Sequence, residues 1–264
     1  MEDMKYDELI DLGDGGTLEI FENKDKSAQI ETKTGKILKS QVLYLVLPGG
    51  GYEILVPCEI YPVAEKYISL GFSSAILKYT TKKPYPLSYN QGLKSIELLS
   101  SKFKKIIIIG FSAGGHLAGL LGTTEREKLF NAVGMILCYP VITLGKITHE
   151  GTRQNFFGNK IENNLDNQKL FSIDNRVNSK TLPTFIWTCK PDKIVNYQNT
   201  EIMVEKLKEN KVMFDYRIFE TGEHGIVFAD RDINLFGLYI KKDDKVATWL
   251  NSALDFMERV IKDN

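Results

Sequence analysis

The segment Ile107-Ile108-Ile109-Gly110-Phe111-Ser112-Ala113-Gly114-Gly115-His116 sets one serine between two glycines, after an apolar run and before a helical pattern. A serine there can act as a nucleophile. Its sharp turn leaves no room for a Cβ two positions to either side, and Gly110 and Gly114 meet that demand. The turn lifts the hydroxyl above a sheet edge, and the next helix aims its positive N-terminus at the reacting centre. Gly-x-Ser-x-Gly alone is a weak signal, since a tight strand-to-helix turn or a phosphate cradle reads the same way. No Gly-x-Gly-x-x-Gly and no Gly-Lys-Ser/Thr occurs in the chain, which removes the main nucleotide-binding alternatives.

Acyl transfer to a serine needs a base, and the chain has three histidines. His116 lies four residues after Ser112 on the same helix and reads as a packed, hydrogen-bonded residue. His149 opens an Asn-rich stretch and reads as exposed. His224, in Glu220-Thr221-Gly222-Glu223-His224-Gly225, follows the last strand-like run. Parallel strands all end on one side, so His224 shares an edge with Ser112 and is the expected base; a solvated turn histidine is the alternative. Asp192, in Lys190-Pro191-Asp192-Lys193, follows another such run and is the expected partner that holds the imidazole tautomer. A turn aspartate after Pro191 is its alternative reading, and Asp166, Asp174 and Asp230 are weaker rivals.

Leu47-Pro48-Gly49-Gly50-Gly51-Tyr52 carries three consecutive glycines, which cost conformational entropy and call for a reason. An oxyanion hole is one: N–H groups of Gly50 and Gly51 would converge with that of Ala113 on developing negative charge. A merely flexible loop is the bland alternative. Tyr52 reads equally well as a wall of an acyl pocket, a stacking surface for a sugar, or simple packing.

These residues need a scaffold that brings strand ends together. Apolar runs stand at 43–47, 73–79, 105–109, 133–139, 184–189 and 212–219, the first four almost continuous, as in strands covered on both faces. Helical spacing appears at 61–70, closed by Gly71, and at 93–103, 200–210 and 244–261. Strand and helix alternate, so the expected class is α/β, with a mostly parallel central sheet and helices on both faces. In the first forty residues, Asp14-Gly15-Gly16 and Thr34-Gly35-Lys36 are turn signals that predict antiparallel edge strands. Residues 141–181 are expected to be an insertion that shapes the pocket, since a loop this long is either functional or carries short helices of its own. Residues 225–243 form a shorter insertion whose Phe228, Phe236 and Tyr239 read as exposed. No repeat or Pro/Gly-rich linker interrupts the chain, so 1–264 reads as one domain.

Composition narrows the function. Thirty-four Lys plus Arg balance thirty-four Asp plus Glu, which argues against a nucleic-acid or acidic-membrane binder driven by charge. At 43% hydrophobic and 26% charged residues, the chain is not of the disordered class. No apolar run approaches the ~18 residues of a membrane span. Met1-Glu2-Asp3-Met4-Lys5 lacks the start of a signal peptide, so a cytoplasmic location is expected. Cys58, Cys138 and Cys189 are odd in number and far apart, encoding neither a disulfide framework nor a zinc site. No metal or organic cofactor is expected. The expected partner is a small-molecule ester; the oligomeric state stays open, with a homo-oligomer compatible.

The chain order Ser112, Asp192, His224 is that of the α/β-hydrolase triad, and the sequence resembles that superfamily from about Tyr44 onward. More closely it is similar to the acetyl-xylan esterase and bacterial feruloyl-esterase-like branch of carbohydrate esterases. The likeness rests on Pro48-Gly49-Gly50-Gly51-Tyr52, Pro62-Val63-Ala64-Glu65-Lys66 with Leu70-Gly71-Phe72, and Gly110-Phe111-Ser112-Ala113-Gly114-Gly115-His116-Leu117-Ala118. Leu182-Pro183-Thr184-Phe185 leading to Asp192, and the Gly222 to Gly225 loop, complete it. The resemblance implies nucleophile Ser112, acid Asp192, base His224, oxyanion N–H groups near Gly50, Gly51 and Ala113, and hydrolysis of small O-acetyl esters. Three places depart from the pattern: Leu47-Pro48 stands where many relatives have a histidine, Lys78-Tyr79-Thr80 where Asn-Tyr-Arg is usual, and Lys190-Pro191 before the acid. The alternatives are a formamidase- or dipeptidyl-peptidase-like amide hydrolase and a non-catalytic scaffold.

Overall fold

Isoleucine at four successive positions, 106 to 109, is fully buried within one strand. β-Branched side chains suit an extended backbone, and a strand covered on both faces needs apolar residues at every position. The computed structural model describes residues 5–264, so the leader reading at Met1 to Met4 lies outside the described residues. The strands are β1 Glu8–Gly13, β2 Gly16–Phe21, β3 Gln29–Thr32, β4 Gly35–Leu38, β5 Val42–Leu47 and β6 Ser73–Lys78. They continue with β7 Lys105–Phe111, β8 Ala132–Cys138, β9 Thr184–Cys189, β10 Phe214–Phe219, β11 Ile233–Leu235 and β12 Leu238–Ile240. Eight of them form one sheet in the order β1-β2-β6-β5-β7-β8-β9-β10. From β6 to β10 every pairing is parallel, while β1 and β2 join antiparallel. This is the α/β-hydrolase class expected.

The helices are α1 Tyr61–Ser69, α2 Leu87–Ser100, α3 Ala113–Gly122, α4 Glu150–Phe157, α5 Leu165–Phe171, α6 Gln198–Glu209 and α7 Trp249–Asp263. Strand side chains alternate between faces, and β5 shows the result. Leu43, Leu45 and Leu47 join one buried cluster with residues of α2, α3 and α6; Val42, Tyr44 and Val46 join another with α1 and α7. Each fully buried aliphatic side chain is worth about 1.5–3 kcal/mol, so the two-sided central strands outweigh any local propensity. Among the described residues no helix is long and apolar enough to cross a membrane.

Three expectations change and one reading is narrowed. Helix α2 starts at Leu87, ahead of 93, because its polar first turns are stitched down: Gln91 donates to Gly13 O and Thr80 Oγ1 and accepts from Thr80 N. Strands β3 and β4 form a hairpin of their own, apart from the central sheet. The 141–181 insertion does carry helices, α4 and α5, and turns Phe156, Phe157 and Phe171 inward. Phe228 is buried, stacked on Trp249 with centroids 5.7 Å apart, whereas Phe236 and Tyr239 are exposed on the β11–β12 hairpin.

Candidate active site

Only Ser112 separates β7 from α3, and the turn forces it to φ 51°, ψ −118°. That backbone is uncommon for a side-chain-bearing residue and is held by its neighbours. Ser112 N–H donates to Cys138 O at 3.0 Å, and Ser112 O accepts from His116 N and Val141 N. A Cβ on Gly110 would stand 2.3 Å from Gly114 O, and one on Gly114 would stand 2.2 Å from Leu47 O. Both glycines are therefore required by packing at the elbow.

Asp192 follows β9 and His224 follows β10, each on the loop beyond a parallel strand. His224 Nε2 lies 2.9 Å from Ser112 Oγ, and His224 Nδ1 lies 2.7 Å from Asp192 Oδ2. A carboxylate accepts, so Nδ1 carries the proton and Nε2 is left to accept from the serine hydroxyl. The other oxygen of Asp192 accepts the N–H groups of Ile194 and Val195, so this aspartate also shapes its own turn. Of the rivals, Asp230 pairs with Lys66, while Asp166 lies in the first turn of α5 and Asp174 in a 3₁₀ turn. A serine linked in this way to an imidazole and a carboxylate can be made nucleophilic toward a carbonyl.

The glycine loop leaves β5 beside the elbow. Its backbone is curled by Glu53 N and Ile54 N donating to Gly50 O, and by Val56 N donating to Gly49 O. Gly50 has φ +121°, and a Cβ there would meet Ile54 O at 2.3 Å. Gly49 N–H is taken by Glu59 Oε2 at 2.7 Å, whereas the amides of Gly50, Gly51 and Ala113 have no protein acceptor among the described residues. Tyr79 OH donates to Pro48 O at 2.7 Å, and Asn155 Nδ2 of α4 donates to Gly51 O at 2.9 Å. Pro48, at the first departure, is thus anchored by Tyr79, the residue of Lys78-Tyr79-Thr80 that keeps to the usual pattern.

Tyr52 is 1% exposed, with its ring packed against Tyr79 and Phe156. His116, also buried, lies 2.9 Å from both Tyr52 OH and Phe171 O. A carbonyl can only accept, so Nε2–H donates to Phe171 O and Nδ1 accepts from Tyr52. Burial pushes the His116 pKa down to about 4, against the opposing pull of the Phe171 bond. His149 departs from its expected exposure. It is half-buried and caps α4 by accepting Thr152 N–H on Nδ1, and a Cβ on Gly51 would lie 3.7 Å from its ring. Burial first, and then the charge of His224, lowers its pKa.

Glu59 and Tyr139 escaped the sequence reading. Glu59 Oε1 accepts from Tyr139 OH at 2.8 Å, and the Tyr139 ring meets the His224 ring edge-on with centroids 4.9 Å apart. An acid among Pro57-Cys58-Glu59-Ile60-Tyr61, just before a helix, was the available signal. Among the described residues no group of His, Cys, Asp and Glu is arranged to hold a metal ion.

Residues 96–264 match the model of the prolyl oligopeptidase family. The chain belongs to the prolyl oligopeptidase family. The matched region holds Ser112, Asp192 and His224, while the glycine loop and Glu59 lie before it. Endo-1,4-beta-xylanase B of Butyrivibrio fibrisolvens is 31% identical over 210 residues, covering 70% of this chain and 32% of that protein. Acetylxylan esterase of Xylanibacter ruminicola is 25% identical over 225 residues, covering 78% of this chain and 44% of that protein. The match therefore spans less than half the length of either relative. Among solved structures, an acetyl ester-xyloside bifunctional hydrolase from Caldicellulosiruptor lactoaceticus superposes with a TM-score of 0.79 at 25% identity, covering 100% of both chains. The family is a hydrolytic one within the α/β-hydrolase superfamily.

Proposed function

We propose that this family member is a serine hydrolase of small carboxylic esters, acting on O-acetyl groups of sugars or xylo-oligosaccharides. The observation that carries the reading is His224 bridging Ser112 Oγ at 2.9 Å and Asp192 at 2.7 Å. Ser112 attacks the acyl carbon while His224 takes its proton. The tetrahedral oxyanion accepts hydrogen bonds from the unpartnered amides of Gly50, Gly51 and Ala113. His224 then returns the proton to the leaving alcohol, and water releases the acid from the acyl-enzyme by the same steps in reverse. Asp192 holds the tautomer and stabilises the imidazolium throughout.

The acetylated-sugar class is supported by the names of the relatives, an acetylxylan esterase and an acetyl ester-xyloside hydrolase. Short acyl chains are supported by the insertion. Its Phe156, Phe157 and Phe171 are packed into the core rather than turned out toward an acyl chain. A second reading, amide cleavage, is favoured by the family's peptidase name. Side-by-side kinetics on p-nitrophenyl acetate, butyrate and octanoate, an acetylated xyloside, formyl-kynurenine and a dipeptide anilide separate the readings. Acetate should exceed octanoate by at least about tenfold in kcat/KM, ~1.4 kcal/mol of discrimination or more. Faster turnover of the anilide than of any ester would replace the ester reading by the amide one.

A further inference from the structure

Glu59 ends the 3₁₀ turn Pro57–Glu59 and is 2% exposed. A carboxylate this deep is costly unless its oxygens find donors, and both do. Oε2 accepts Gly49 N–H at 2.7 Å and Oε1 accepts Tyr139 OH at 2.8 Å. Burial pushes its pKa up, and these two bonds, with the charge of His224, pull it back. The contacts lead to the reacting groups from two directions. A Cβ on Gly49 would lie 2.8 Å from Glu59 Oε2 and equally from Ser112 Cβ, so the carboxylate, the loop and the nucleophile meet at one point. On the other side Tyr139, held at φ 37° just past β8, lays its ring against His224.

We propose that Glu59 is a positioning residue for the reaction: one side chain fixes the glycine loop through Gly49 and the imidazole of His224 through Tyr139. The proposal rests on the hydrolase reading above. A run of three glycines has little intrinsic preference for any peptide orientation. With Gly49 N–H locked on a buried acceptor, the amides of Gly50 and Gly51 inherit a fixed direction before substrate arrives. Pre-set donors of this kind stabilise the transition state without reorganisation, so their loss appears in kcat rather than in KM.

Glu59→Gln tests this, because glutamine keeps the shape but puts an NH2 where one of the two donors needs an oxygen. The expected result for p-nitrophenyl acetate is a kcat about 10- to 100-fold lower, with KM within about twofold of wild type. Labelling of Ser112 by a fluorophosphonate should slow in parallel, since it uses the same donors. Tyr139→Phe removes only the His224 arm and should lower kcat by about 3- to 10-fold, again at constant KM. If Glu59→Gln does not fold, Tyr139→Phe decides the His224 arm, and Glu59→Asp, which keeps the charge but shortens the reach to Gly49, decides the loop arm by the same loss of kcat at constant KM. A folded Glu59→Gln protein with wild-type kcat, or a defect confined to KM or to melting temperature, overturns the proposal. Wild-type kcat in Tyr139→Phe overturns its His224 arm. Wild-type protein that neither turns over esters nor takes the label overturns the hydrolase reading itself, before any variant is compared.

Discussion

Tyr79 and Glu59 hold the two ends of one peptide unit: the Tyr79 hydroxyl donates to Pro48 O, and the Glu59 carboxylate accepts from Gly49 N–H, both at 2.7 Å. The C=O and N–H of a trans peptide point opposite ways, so this pair clamps the plane between the residue just past β6 on one side and the 3₁₀ turn on the other. Tyr79→Phe leaves Pro48 O buried without a donor. It should cost about 1–3 kcal/mol, read as a lower urea midpoint, and should lower kcat more than any surface substitution. An unchanged midpoint would mean that the carbonyl finds another donor.

At position 112, two variants separate chemistry from backbone strain. Ser112→Ala and Ser112→Gly both lose the hydroxyl, and each should lower kcat by about 10⁴-fold or more. They differ in how they tolerate φ 51°. The glycine protein should be the more stable of the two by about 1 kcal/mol, because only it adopts that backbone freely. Equal stability in chemical denaturation would show that the elbow is not strained.

The glycine loop should be intolerant of a single methyl group. Gly50→Ala combines φ +121° with a 2.3 Å clash against Ile54 O. It should lower kcat by about 10²-fold, the loss of one oxyanion donor, with a native circular dichroism spectrum. Gly13→Ala, at φ +80° with nothing within 4 Å, is the control. It should lose about 1 kcal/mol of stability and keep its turnover.

His116 makes stability depend on acid. Its folded pKa of about 4 lies below the 6.5 of an ordinary imidazole, so as pH falls the unfolded chain takes up the proton first. The contribution is complete above about pH 6.5 and is lost toward pH 4, in all about 3 kcal/mol. His149, lowered in the same direction, adds to it. Urea midpoints between pH 7.5 and 4.5 should fall more steeply in wild type than in His116→Gln. Parallel slopes would assign the acid sensitivity to other groups.

Ser112, Asp192 and His224 were legible in the sequence because each follows a strand-like run on a turn marked by glycine or proline. Parallel strands then bring such loops to one edge, and the structure sets the three within hydrogen-bond reach of one another. What could not be read depends on contacts between elements. Tyr139 ends an apolar run and looks like core, and its bond to Glu59 spans 80 positions of sequence. His149 stands in polar surroundings that suggest exposure, yet it caps a helix laid over the glycine loop. The polar start of α2 looks like a loop until Gln91 is seen bridging Gly13 and Thr80.

The strand that delivers His224 is the outermost of the sheet, and its residues are only partly covered, whereas β7 beneath Ser112 is buried along most of its length. Hydrogen-bonded strands at an edge open more readily than central ones. Mild heat or urea should therefore unseat the imidazole while the nucleophile elbow is still intact. Inactivation would then precede unfolding, and lowering the denaturant would restore turnover faster than a chain refolds from the beginning.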